Sequence, residues 1–477
     1  MAKQGGISRM VMKAMGIFGG VQMMGIICSI IRTKLVAMWL GTVGVGLFGL
    51  FNNALEMINI ATNLGIRSSS VRDISQAADA RDSSLIARII AVVRKWSLWL
   101  GLAGATLTLA LAPLLSEITF GTQDHIWGFV ALSIAVLLMA ITNGEQAVFQ
   151  GLAQLKKLAR ITVLGTVSGL LVSIPLFYYL REDSVLPSII AYAVANAFFA
   201  IVLRNKEYPA VKVSRSETFT MGRDFVRLGV FMTIGNFVTI LATYIFNAWL
   251  NNRAGTGEVG LYQAGYTLIN KYTGLILTAL GMEYYPRLAR VAASRMKLRV
   301  FVSQEINIAL LVMVPVIAAF ILLRGPIVSI LYSSDFAPIL PFISWGMMGI
   351  IFRAVSWSMA FVILAKGSGK IYLITETLSA VTGLGLNIIF YQWWGLVGLG
   401  WAFSVWYIVY TLIIAVVYFT HYRLRLSLNC MLSLAWAVIV TLIVTITAEN
   451  GYLIPSIATA TIGALVSAHK LLQLWKR

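Results

Sequence analysis

Arg32, Lys34, Glu56, Glu145, Lys271, Arg353 and Glu376 stand inside stretches otherwise built of leucine, isoleucine, valine, alanine and glycine. They are the residues with chemistry to perform. A charge near the centre of a bilayer costs about 2.5–3.5 kcal/mol on insertion scales, so it normally faces the protein interior or a wet cavity. Arg32 and Lys34 have two readings, lining a cavity or snorkelling to the outer interface. Glu56 and Lys271 fall near mid-depth and carry opposite signs, which suits a gate or a permanent structural pair. Glu376 and Glu145 are carboxylates that burial can tune into proton carriers, although Glu376 also suits a local helix cap. Arg353, about mid-way along its run, brings a guanidinium fork whose geometry matches phosphate oxygens.

Other chemistries lack residues. Cys28 and Cys430 lie far apart in apolar stretches, and His125, His421 and His469 are scattered, so no metal, redox or disulfide motif is expected. No cofactor is expected either. Tyr244, Tyr262, Tyr266 and Tyr272 suit either packing or stacking on sugar rings.

The elements that position these residues follow from composition. The 477 residues are 59% hydrophobic and 12% charged, with mean hydropathy +0.84, whereas a soluble chain carries roughly 25% charged residues. A spanning helix needs roughly 20 apolar residues, and about fourteen such runs recur between 14–38 and 453–474. This predicts an all-α polytopic membrane protein. Placing the N-terminus in the cytoplasm puts about thirty of the 37 basic residues on the inner side, as orientation by Lys and Arg requires. Both termini are then cytoplasmic, and the net charge of +19 is an orientation signal spread over short loops. That removes a nucleic-acid reading. Arg81, Arg88 and Lys95 recur every seven residues, a helix face for anionic headgroups or an incoming diphosphate.

The chain also repeats. GTVGVGLF at 41–48 recurs as GTGEVGLY at 255–262, a shift of 214, and the same shift lays 151–178 over 365–392. It brings Glu56 onto Asn270, next to Lys271, and Glu376 onto Thr162. Six intervening spans leave the copies in the same orientation, a parallel repeat. The expected organisation is a six-helix lobe at 1–205, a cytoplasmic linker at 206–227, a second six-helix lobe at 228–425, and two additional transmembrane helices at 426–477. Such pseudo-symmetric lobes suit alternating access.

Several segments, in order and spacing, carry a family likeness. They are KLVAMWLGT from Lys34, GLFGL from Gly46, Leu64 to Ile66 with Val71 and Arg72, EVGLYQ from Glu258, Tyr285 to Leu288, Arg353, and VILAKG from Val362 leading to Glu376. The sequence resembles the Wzx-type lipid-linked oligosaccharide flippases of the multidrug/oligosaccharidyl-lipid/polysaccharide (MOP) exporter superfamily, which handle O-antigen and enterobacterial common antigen units. Lys271 and Glu283 depart from the family pattern.

The resemblance implies a MATE-like fold, residence in a bacterial inner membrane, and flipping of an undecaprenyl-diphosphate oligosaccharide to the periplasmic leaflet for surface polysaccharide synthesis. It also implies a proton or sodium counter-ion, and neighbouring polysaccharide-assembly membrane proteins as partners. Arg353, Lys34, Arg32 and Lys271 would then meet the diphosphate, with Glu56, Glu376 and Glu145 serving gating or ion coupling. No enzyme is expected. Two alternatives stand beside it: a cation-coupled multidrug exporter on the same scaffold, and a membrane-embedded glycan polymerase or transferase. The exporter would favour carboxylates in its cleft, whereas the charges here are mixed. The enzyme would be expected to carry a large extramembrane loop with an acid or metal constellation, and the outer loops are short.

Overall fold

Long apolar runs can satisfy their backbone groups in lipid only within helices or closed barrels, and this chain uses helices. The structure, a computed structural model, describes residues 2–475 apart from 64, 80, 81 and 210; the side chains of 2–19, 22, 66–68, 79, 222, 224–232, 282, 286 and 474–475 are also outside the description. Leu64, Arg81, Lys476 and Arg477, and the side chains of Lys3, Arg9, Lys13, Arg67, Arg227 and Pro286, therefore lie outside the described residues. Among those described there is no strand.

The chain forms two compact units, residues 1–259 and 260–477. The first holds α1 (Ala2–Asn63), α2 (Ile66–Asp79), α3 (Ser83–Ala110), α4 (Ala112–Phe120), α5 (Ile126–Gly151), α6 (Leu155–Leu180), α7 (Val185–Val202) and α8 (Arg215–Ala254). In it α5 packs against α3 and α7, α6 against α1 and α7, and α8 against α1 and α2. The second unit is built on α9 (Thr256–Tyr266), α10 (Thr273–Val291), α11 (Arg295–Leu322), α12 (Arg324–Leu331), α13 (Leu340–Ala365), α14 (Gly369–Val416), α15 (Leu428–Glu449) and α16 (Leu453–Trp475). There α13 packs on α14 and α11, and α15 and α16 both lie against α11. Helix starts follow local chemistry. Asp82 caps α3 by accepting from the amides of Ser84 and Leu85, both at 3.0 Å, and Ser214, Ser294 and Ser427 cap α8, α11 and α15.

Two of the longest helices are hairpins. Sixteen residues of straight helix would set Arg32 and Phe48 about 24 Å apart, yet the Arg32 guanidinium lies 4.8 Å from the Phe48 ring. The chain therefore reverses between them, at Gly41 (φ 65°, ψ −159°). Likewise Tyr410 donates to Glu376 at 2.5 Å across α14, where a straight helix would hold them about 51 Å apart. That reversal is at Gly395 (φ 57°, ψ −140°). Only glycine enters this region readily.

The repeat reaches the backbone. Left-handed φ values occur at Gly41 and Gly255, at Ala153 and Gly367, and at Arg181 and Gly395, three pairs each separated by 214. The α6–α7 hairpin seats Tyr192 on Gly169, where a Cβ would lie 2.6 Å from the ring, and α14 seats Trp406 on Gly383 at the same 2.6 Å. This pair too is offset by 214. Among the described residues eight helical runs are long and apolar enough to cross a membrane, or nine with the bent α3–α4 pair counted as one span. The protein is a multi-pass membrane protein.

Candidate functional site

A cavity of about 440 Å³ opens within the first unit, and both arms of the α1 hairpin, α5 and α7 line it. Arg32 comes from the arm before Gly41 and Glu56 from the arm after it. Arg32 lies against two π faces, Phe48 at 4.8 Å and Tyr192 at 5.3 Å, contacts worth about 0.5–2 kcal/mol each. Tyr192 is fixed in turn by Gly169 and by a 3.2 Å hydrogen bond between its hydroxyl and that of Thr166. Among the described residues Arg32 has no hydrogen bond or ion pair, and Glu56, though in the same cavity, forms no salt bridge with it.

Between these charges the lining is amide. Asn52, Glu56 and Asn59 form one stripe of α1 at spacings of four and three, and Asn143, Gln146 and Asn196 face them from α5 and α7. Asn52 donates to the Phe48 carbonyl at 2.7 Å and Asn196 to that of Tyr192 at 2.8 Å. Asn59 accepts from Asn63 at 3.5 Å. Asn143 and Gln146 have no hydrogen-bond partner among the described residues, although Gln146 is only 9% exposed. Neither amide is among the buried unpartnered side-chain atoms, so both open onto the cavity.

The other expected residues fall elsewhere. Lys34 lies two positions beyond Arg32, half-buried and outside the cavity lining. Glu145 is 6% exposed and held bidentately by Arg94, Nε to Oε1 at 2.7 Å and Nη2 to Oε2 at 2.9 Å, with Nη2 also reaching the Asn205 carbonyl at 3.3 Å. The network continues into the loop after α7, where Asn205 donates to Gln154 at 2.9 Å and Glu207 accepts from Gln154 at 2.6 Å and from Lys157. Those hydrogen bonds, from Lys157 first and Gln154 second, hold the exposed Glu207 carboxyl below the usual range.

In the second unit Lys271 sits in a π-helical turn at Thr267–Tyr272. Arg353, on α13, donates from Nη1 to the Asn270 carbonyl of that turn at 2.9 Å, and its guanidinium lies 5.7 Å from the Tyr407 ring. A π turn disturbs the regular ladder of carbonyl acceptors, and Arg353 bonds to one of them. Glu376 accepts from Tyr410. Tyr262 and Tyr266 pack 5.5 Å apart, and Tyr244 bonds to Thr119 at 2.6 Å. Glu283 pairs with Arg287 at 2.6 Å, and both face a pocket of about 160 Å³ that also contains Glu305.

The sequence profile of the family described as "Polysaccharide biosynthesis protein" matches residues 35–341, well over half of the chain. The chain belongs to that family. A relative named lipid III flippase, from Escherichia coli K12, is 23% identical over 391 residues, covering 79% of this chain and 90% of the relative. Two solved structures share the fold. An inward-facing multidrug resistance MATE transporter of the MOP superfamily superposes with TM-score 0.70 at 16% identity, covering 87% of this chain and 95% of that one. The lipid II flippase MurJ, inward closed, gives TM-score 0.70 at 13% identity, with 96% and 99% covered.

For this member of the polysaccharide biosynthesis family, charge alone was an incomplete guide to the site. The amides of the cavity are neutral and escape a search for intramembrane ions, yet the α1 stripe of Asn52, Glu56 and Asn59 was open to a helical-spacing search. Glu305 was open to a count of carboxylates within the runs.

Proposed function

We propose that this protein flips an undecaprenyl-diphosphate-linked oligosaccharide from the cytoplasmic to the periplasmic leaflet of a bacterial inner membrane, supplying surface polysaccharide synthesis. The observation that carries this reading is the cavity that joins Arg32, Glu56 and a set of amides inside apolar helices, since a headgroup crossing lipid needs a polar enclosure. Family membership and the lipid III flippase relative support it. The cycle is alternating access with no covalent step, through about fourteen spans and with both termini cytoplasmic. Arg32, which lines the cavity, is the first cation for the diphosphate, with Lys34, Lys271 and Arg353 as further candidates. Glu56 is the carboxylate of choice for gating, with Glu376 and Glu145 as further candidates for proton or sodium coupling. Neighbouring polysaccharide-assembly proteins supply and remove the cargo.

A multidrug exporter is the second reading, favoured by the MATE fold and by Glu56, a carboxylate suited to a cationic drug. Arg32 in the same cavity opposes it, because a cationic ligand would meet a like charge. The deciding experiment is transfer of a labelled polyprenyl-diphosphate oligosaccharide across proteoliposomes under imposed proton or sodium gradients. Transfer by the wild type that falls at least tenfold in Arg32→Ala is the expected result. Export of cationic dyes without lipid transfer would overturn the flippase reading.

A further inference from the structure

The two repeats treat equivalent positions differently. Shifted by 214, the lining residues Phe48, Asn52, Tyr192 and Asn196 become Tyr262, Tyr266, Trp406 and Tyr410, while Met139 becomes Arg353 and Ile60 becomes Gly274. In the second unit these side chains pack on one another. Tyr266 meets Phe403 at 6.1 Å, Phe403 meets Tyr407 at 4.8 Å, Tyr407 meets Trp406 at 5.2 Å and Tyr410 at 6.4 Å. Arg353 lies beside Gly274, where an added Cβ would come within 3.3 Å of its Nη2. Rings and one guanidinium thus occupy the counterparts of positions that, in the first unit, line an open amide-walled space.

Resting on the flippase reading, we infer that the first-unit cavity is the glycan subsite, and that Asn143 and Gln146 select for a hydroxyl-rich sugar ring. A primary amide presents donors and an acceptor together, matching a hydroxyl that also does both. Asn143 and Gln146 lack protein partners among the described residues, and Gln146 is 91% buried by its 9% exposure. An isoprenoid tail would leave those amides unpaired, which is unfavourable. A diphosphate alone would meet a single cation, Arg32, opposed by Glu56. A neutral sugar ring satisfies the amides, and Arg32 suits the phosphate next to it. About 440 Å³ falls within the usual range for small-ligand sites.

The test is proteoliposome transfer of radiolabelled undecaprenyl diphosphate, bare or carrying one of three short neutral glycans, by wild type, Asn143→Leu, Gln146→Leu and Gln146→Asn, each checked for equal reconstitution and thermal midpoint. The wild type should prefer at least one glycan-bearing lipid over the bare lipid. That preference should fall about tenfold in each leucine variant, as loss of one or two hydrogen bonds predicts, with partial recovery in Gln146→Asn. An undiminished preference in both leucine variants, equal loss for both lipids, or no glycan preference in the wild type would overturn the subsite. A wild type that moves none of these lipids would instead overturn the flippase reading.

Discussion

Removing Arg94 strands the buried Glu145 carboxylate, so Arg94→Ala is expected to lower stability by about 3–5 kcal/mol, and Glu145→Ala by less because the Arg94 side chain is 27% exposed. The double replacement Arg94→Met with Glu145→Leu should cost less than either, and denaturant unfolding in detergent would rank the three. Glu207 works in the opposite regime, at the surface. Its carboxyl is held below the ordinary value of about 4.3 by Lys157 and Gln154, so its stabilisation is complete above that value and is lost as pH falls through the lowered one. A spin label at Tyr208→Cys should therefore gain mobility only once pH falls below the ordinary carboxylate range, and Glu207→Gln should show that mobility at neutral pH. A label equally immobile in both conditions would show that Glu207 does not hold the loop. The sequence made Glu145 visible as an intramembrane acid, but not its partner. Arg94 is 51 positions away, and only folding brings the two together.

At the level of helices, the reversals are where a single substitution should tell most. Gly41→Ala places a Cβ in a region nearly reserved for glycine and is expected to cost about 1–3 kcal/mol. Ala153→Gly should act in the other direction, relieving up to about 1 kcal/mol at φ 54°, as its counterpart Gly367 already does. Thermal midpoints in detergent should move down for the first and up for the second. Here the sequence was informative, because each apolar run is the length of one span and the glycines mark the turns. Arg181 falls between two apolar runs, but its left-handed backbone was not legible. Nothing in its side chain advertises φ 51°, and only comparison with Gly395 in the second copy gives it away.

For the whole molecule the 214-residue period was readable from two short matches and extends to backbone angles and to a matched glycine–ring contact. What the period concealed was divergence. Three of the lining amides, Asn52, Asn143 and Asn196, have rings at their equivalents Tyr266, Trp357 and Tyr410, and this emerges only when the cavity lining is known. Exchanging Glu56→Gln should shift the dependence of transport on an imposed proton gradient if that carboxylate couples an ion, whereas Glu376→Gln, whose carboxylate is already engaged by Tyr410, should change it less. Initial transport rates at two gradients would separate them.

Arg32 rests on two ring faces rather than in an ion pair. On the flippase reading, a cargo phosphate arriving there would displace no paired carboxylate, and on leaving it would return the guanidinium to the two rings. The rings would hold the cation between loads, so the site would reset without a second ion having to move. Residence time, more than affinity, is what such a cradle would set.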